Sequence, residues 1–252
     1  MANWNDPRPS GQDNRPGFTA APRLNGEVVG GRVGFDEGLR RHMLSIYNYM
    51  ASGIMLSGVI ALAFAKSGMA EAVFGTPLRW LIALAPLGFV MAMSFGVNRM
   101  KTGTLQLLFW AFAAVMGLSL STIFFVYTGA SIATTFFATA GAFAGLSLFG
   151  YTTKRRLGAM GSFMIMGLFG IIIASVINIW LQSSGLAMAV SILGVLIFAG
   201  LTAWDTQRLK EEYAHLAGTE FAGKAVIMGA LSLYLDFINM FMYLLRFMGN
   251  RN

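Results

Sequence analysis

Leu231-Ser-Leu-Tyr-Leu-Asp-Phe-Ile-Asn-Met-Phe-Met-Tyr-Leu-Leu245 is the stretch on which the reading of this chain turns. It belongs to a longer apolar run, about Ala225 to Phe247, that reaches the roughly 20 residues a helix needs to cross a bilayer. Asp236 lies near the middle of that run, and no other acidic residue sits so deep in such a segment. An ionised carboxylate at bilayer depth costs about 2.5–3.5 kcal/mol on insertion scales. A chain that keeps one there gives it a partner, a water-filled cavity or a part in moving ions or protons.

The residues around Asp236 extend the argument. Gly229, Ser232, Asp236, Asn239 and Tyr243 alternate three and four positions apart, so a helix places them along one face. The rest of the run is mainly Leu, Ile, Met and Phe, which suits lipid or packed helices. Ser232, Asn239 and Tyr243 therefore read in two ways. They line a path open to water or ions, or they are hydrogen-bonding glue between helices.

The rest of the chain agrees with a membrane setting. Of 252 residues, 56% are hydrophobic and 12% charged, against about 25% charged in ordinary soluble domains. Six further runs reach spanning length: about Ile46–Ala65, Leu78–Val97, Leu105–Tyr127, Ile132–Tyr151, Met160–Leu181 and Leu186–Trp204. Turn and charge signals separate them, among them Gly75-Thr-Pro77, Thr153-Lys-Arg-Arg-Leu-Gly158 and Ser183-Ser-Gly185. The expected architecture is an all-α membrane protein: a domain over 41–252 with seven transmembrane helices, the seventh being 225–247. Residues 1–40, rich in Gly, Pro, Asn and Arg, read as a disordered cytoplasmic tail.

Basic residues set the orientation. With the N-terminus inside, Arg40, Arg41, Arg99, Lys101, Lys154, Arg155, Arg156, Arg208, Lys210 and Lys224 fall on the inner side. Only Lys66, Arg79, Arg246 and Arg251 fall outside. The net charge of +7 is thus scattered through short loops, which is how topology is encoded and not how a nucleic-acid face is built. The chain has no cysteine and only His42 and His215, which argues against a thiolate or histidine metal site. A cysteine-free chain without a targeting signal suits a bacterial plasma membrane.

Asp205 is the second candidate, in Leu201-Thr-Ala-Trp-Asp-Thr-Gln-Arg-Leu-Lys210. Its plainest reading is an interfacial acid paired with Arg208, three residues on. A negative charge at a helix C-terminus opposes the helix dipole, so either the sixth helix continues past Glu212 or Asp205 has a specific partner. Spans six and seven are antiparallel, and at 1.5 Å per residue the two carboxylates differ by about 10 Å in depth on these boundaries. The sequence alone does not bring them together. If they meet, they cannot both ionise cheaply. The pair would then hold a proton and release it as pH rises, and the charged pair would attract Arg, Lys or a hard cation such as calcium.

Three motifs resemble the Bax inhibitor motif (TMBIM) membrane proteins: Gly150-Tyr-Thr-Thr-Lys-Arg-Arg156, Ala203-Trp-Asp-Thr-Gln-Arg208 and Leu233-Tyr-Leu-Asp-Phe-Ile-Asn239. The likeness covers about Arg40 to the C-terminus and keeps the family's motif order. It implies seven helices with the seventh central and ringed by the other six. It also implies a pH-sensitive calcium leak in which Asp205 and Asp236 form the pH-sensing pair. In the family's closed form a basic residue at the inner end of span two pairs with the two acids; Arg99 is the nearest match. Calcium is then a permeant or transiently bound ion at Asp205 and Asp236, and no resident cofactor is expected. Expected partners are the lipid bilayer, calcium, protons and other membrane proteins such as a protease complex, with no nucleic acid.

The same residues admit other functions. A non-conducting protein that modulates proteolysis or stress machinery would depend on helix faces rather than carboxylates. A proton-coupled cation antiporter would use Asp236 as a relay. An intramembrane aspartic protease needs two acids on adjacent spans, but the Gly-x-Gly-Asp sequence of such enzymes is missing at both. The expectation is that this protein is not an enzyme.

Overall fold

The computed structural model describes the backbone of residues 24–252, and side chains from Asp36 onward except that of Glu71. The described residues form nine helices: α1 Leu24–Lys66, α2 Met69–Phe74, α3 Leu78–Gly96, α4 Thr102–Leu120, α5 Ile123–Val126, α6 Gly129–Thr152, α7 Gly158–Leu181, α8 Ser184–Leu216 and α9 Phe221–Met248. Among them, the only β pairing is a single bridge between Tyr127 and Arg251. Seven segments are long and apolar enough to cross a membrane: α1 from Asp36, α3, α4 with α5, α6, α7, α8 and α9. The seven-helix, all-α architecture expected from hydropathy is the one found.

The chain divides into Met1–Arg40 and a compact body, Arg41–Asn252. Helix α1 already runs from Leu24, inside the segment read from sequence as a tail. Residues 1–23 of that segment lie outside the described residues.

Within the body, the degree of burial orders the helices. α9 is the most enclosed span, with 61% of its apolar window buried, against 6% for α7. The polar stripe explains why α9 lies inside. A helix carrying Ser232, Asp236 and Asn239 would leave those groups unsatisfied in lipid, whereas α7 presents Phe163, Phe169, Ile173 and Trp180 outward at no such cost. Around α9, Tyr234 packs against Phe109 and Phe112 of α4 and hydrogen-bonds Ser57 of α1 at 2.7 Å. Phe237 and Phe241 meet Phe136 of α6, and Tyr243 stacks on Phe198 of α8. α7 docks on α8, where Trp204 lies over Gly161.

The largest departure from the sequence boundaries is α8. Hydropathy falls after Trp204, but the helix continues twelve residues further, to Leu216. Asp205-Thr-Gln-Arg-Leu-Lys-Glu-Glu212 is a good helical sequence with side-chain pairs at helical spacing. Arg208 bridges Asp205, three residues before it, at 3.3 Å and Glu212, four after it, at 3.6 Å. Loss of hydropathy therefore marks the edge of the apolar layer, not the end of the helix.

Candidate functional site: a buried carboxyl pair

The extension of α8 resolves the depth mismatch. Asp205 lies about 16 Å from the end of α8, and Asp236 about 22 Å from the start of α9. The remaining difference, about 6 Å, is one helical turn and lies within side-chain reach. The structure accordingly brings the two carboxyl groups close enough to act on one another. Both residues are only 5% exposed.

The immediate surroundings are few. Ser232, one turn before Asp236 on α9, donates its hydroxyl to Asp205 Oδ2. The Arg208 guanidinium reaches Asp205 Oδ1 at 3.3 Å and Ser232 Oγ at 3.3 Å, and lies 4.9 Å over the Trp204 ring. Asp236 Oδ2 is buried with no hydrogen-bond donor. An ionised carboxylate only accepts, so two ionised neighbours cannot satisfy each other. One proton between them would supply a donor.

Three clamps hold α8 in this register. Thr206 Oγ1 meets Ser147 of α6 at 2.9 Å, and Ser147 meets Tyr47 of α1 at 2.6 Å. Gln207 accepts from Leu157 N at 2.7 Å and donates to Arg155 O at 2.8 Å, tying the α6–α7 connection to α8. Lys210 donates to Tyr151 O at 2.8 Å, satisfying a carbonyl that the end of α6 leaves unpaired. The motif at 150–156 and the motif at 203–208 are thus two sides of one joint. The sequence reading assigned no role to Thr206 or Gln207; the four consecutive polar residues Asp205 to Arg208 at a span end were the available signal.

Asn239 donates to Leu235 O of its own helix at 2.8 Å. Tyr243 packs against α8 at Gly194 and Phe198. Arg99 lies beyond the end of α3, beside Lys101, Thr102, Glu220 and Lys224. The basic group at the pair is Arg208, contributed by the same helix as Asp205.

Two cavities flank Arg208 at the end at which α8 turns into α9. A cavity of about 290 Å3 is lined by Arg208, Glu212, Ser232 and Ser94 of α3. A second, of about 310 Å3, lies on the other side of Arg208, lined by Arg156, Trp204, Gln207 and Glu211. Arg208, with its side chain 38% exposed, lines both cavities and reaches Asp205.

A family profile described as "Inhibitor of apoptosis-promoting Bax1" matches residues 39–252. The chain belongs to the Bax inhibitor family. It is 49% identical over 219 residues to an uncharacterised protein of Rickettsia prowazekii, covering 86% of this chain and 92% of that one. It is 45% identical over 227 residues to an uncharacterised protein of Caulobacter vibrioides, covering 85% and 90%. It is 44% identical over 218 residues to the inner membrane protein YbhL of Escherichia coli K12, covering 85% and 93%. This Bax inhibitor family chain is therefore a multi-pass membrane protein similar to a bacterial inner-membrane protein. The matched region takes in the whole compact body and all three motifs.

Proposed function

We propose that this protein is a proton-gated calcium leak of the bacterial plasma membrane, with its N-terminus cytoplasmic, and that it works without enzymatic chemistry. The observation that carries this reading is the contact between Asp205 and Asp236 at a buried position, with Asp236 Oδ2 lacking a donor. A structural salt bridge needs only one of these acids. Two, placed so that one proton decides whether they attract or repel, make a switch.

The protonated pair closes on itself through a shared hydrogen. The deprotonated pair carries two negative charges in a site where Arg208 is the nearby cation. The pair then either draws Arg208 inward or accepts another cation. Glu212 competes for Arg208 from its far side. α3 contributes the uncharged Ser94, α6 reaches α8 here through Ser147, and on α1 His42 meets Tyr213 of α8 at 5.0 Å with the rings tilted. Two carboxylates and the Ser232 hydroxyl offer fewer oxygens than the six to eight a resident calcium takes. Among the described residues no group of three or more metal-ligating side chains occurs. This donor set fits brief contact with a passing ion.

The test is calcium entry into proteoliposomes of purified protein, followed with a trapped indicator as pH is varied across the neutral range. Flux above that of empty liposomes, with a single sigmoidal pH response, is expected; no flux at any pH would refute the reading. Arg208→Gln carries a second expectation. A nearby cation favours the ionised pair, so its removal lets the pair keep its proton to higher pH. The midpoint of the response should move upward by about one pH unit, the low end for a neighbouring charge because the guanidinium is half-exposed and screened. Arg99→Gln should leave the midpoint in place.

A further inference from the structure

At the opposite end of the bundle, where α8 begins and α9 ends, a cavity of about 740 Å3 opens between α7, α8 and α9. Its size falls within the roughly 300–1,000 Å3 of small-molecule sites. The lining includes Arg246, Arg251, Asn178 and Ser184, and no acidic side chain among the described residues. Neither arginine forms an ion pair with a described carboxylate.

Both guanidinium groups come from ordered backbone. Arg246 occupies the last turn of α9 and lies 5.9 Å over the Tyr243 ring. Arg251 follows the helix and is pinned by its bridge to Tyr127, flanked by Thr128 N to Asn250 O at 3.1 Å and Asn252 N to Val126 O at 3.0 Å. A cation at the C-terminus of α9 suits the helix dipole, which accounts for Arg246. It does not account for Arg251, or for a cavity between α7 and α8 that both arginines line.

The facing wall supplies neutral donors. Asn178 accepts from Ser183 N at 3.0 Å, which leaves its NH2 group without a protein acceptor among the described residues. The first-turn N–H groups of Ser184 and Gly185 have no acceptor within α8. The space beside Gly185 is open, with Ser183 Oγ at 3.9 Å the nearest atom a Cβ would meet. Two cations and several N–H donors around one space suit an anion with three or four oxygens. A lone carboxylate would occupy one guanidinium fork and leave the other unpaired.

We propose that this cavity is an anion site for a phosphate mono- or diester. Its position at a membrane end admits two sources of the same chemistry, a phospholipid headgroup or a soluble phosphate. The proposal is independent of calcium conduction, since it concerns the other end of the bundle and different residues.

The test uses the full-length protein in detergent. Native mass spectrometry counts bound phosphatidylglycerol against phosphatidylcholine, and inorganic phosphate is titrated as competitor. The parent should retain phosphatidylglycerol preferentially, and Arg246→Gln/Arg251→Gln should retain it at least about tenfold less well, the loss of charge-assisted pairs. Arg79→Gln, which removes a basic residue outside the cavity, should behave as the parent. Displacement by inorganic phosphate identifies a soluble ligand; resistance to it identifies the headgroup. Should the double variant lose its fold, Arg251→Gln alone, beyond the last helix, carries the comparison. Parent-like retention in the arginine variants, equal retention of the two lipids without a phosphate effect, or an equal loss in Arg79→Gln would overturn the proposal.

Discussion

Asp236→Asn should leave a protein whose calcium flux no longer responds to pH and whose fold is at least as stable as the parent's. The two effects have one cause. When the pair is ionised, Asp236 Oδ2 is buried without a donor, and an unsatisfied buried acceptor costs about 1–3 kcal/mol. Asparagine keeps the shape and places an NH2 group against Asp205, imitating the protonated acid. The site is then held in its protonated arrangement at every pH. Without a titrating group the proton has no differential affinity for the two states, so the ratio of flux at acid and alkaline limits should fall to about one. The remaining flux should match the parent's acid limit. Thermal unfolding in detergent, read by tryptophan fluorescence, should show an unchanged or raised midpoint. Asp236→Leu separates shape from charge: it removes both the acid and the donor, and should also abolish the pH response while leaving Asp205 with Arg208 and Ser232. A preserved pH response in Asp236→Asn would show that the pair is not the sensor. A large loss of stability in that variant would show that the carboxylate is a structural ion-pair member.

Much of this molecule was legible in its sequence, because the bilayer imposes simple rules. Seven apolar runs gave seven spans, and the stripe of Ser232, Asp236 and Asn239 picked α9 as the helix that could not face lipid. Arg208 was visible too, as the partner three residues after Asp205. What hydropathy could not give was the meeting of the two acids. The apolar layer ends near Trp204, whereas α8 ends at Leu216, and a helix boundary placed at the first displaces Asp205 by about 18 Å along the axis relative to the second. The same blindness hid Thr206 and Gln207. Their roles rest on contacts with Ser147, Arg155 and Leu157, residues some fifty positions away whose approach is set by packing. Arg99 illustrates the converse. Proximity of a basic residue to a span end is common in any inside-facing loop, so it carries little information about which cation reaches a buried acid.

The packing that sets this approach yields the second large expected effect, Gly150→Ala. At Gly150 α6 and α8 touch backbone to backbone: a Cβ there would overlap the carbonyl oxygen, carbonyl carbon and Cα of Ala203. Backbone cannot rotate away as a flexible side chain can. The helices would have to separate, and overpacking of this kind costs about 1–3 kcal/mol, occasionally more. Ala203 is two residues from Asp205, and the Ser147–Thr206 bond lies one turn along the same contact, so separation strains the register that brings Asp205 to Asp236. Gly150→Ala should therefore lower the thermal midpoint in detergent and also broaden or displace the pH response of flux. Gly145→Ala is the matched control. It lies on the same helix, and a Cβ there meets nothing within 4 Å. Alanine favours the helix by up to about 1 kcal/mol over glycine, so the control should be neutral or stabilising and keep the parent pH profile. If Gly150→Ala proved as benign as Gly145→Ala, the close α6–α8 approach would not be what positions the carboxyl pair. Destabilisation with an unaltered pH response would separate the joint from the switch and leave the register of Asp205 to the Gln207 clamp.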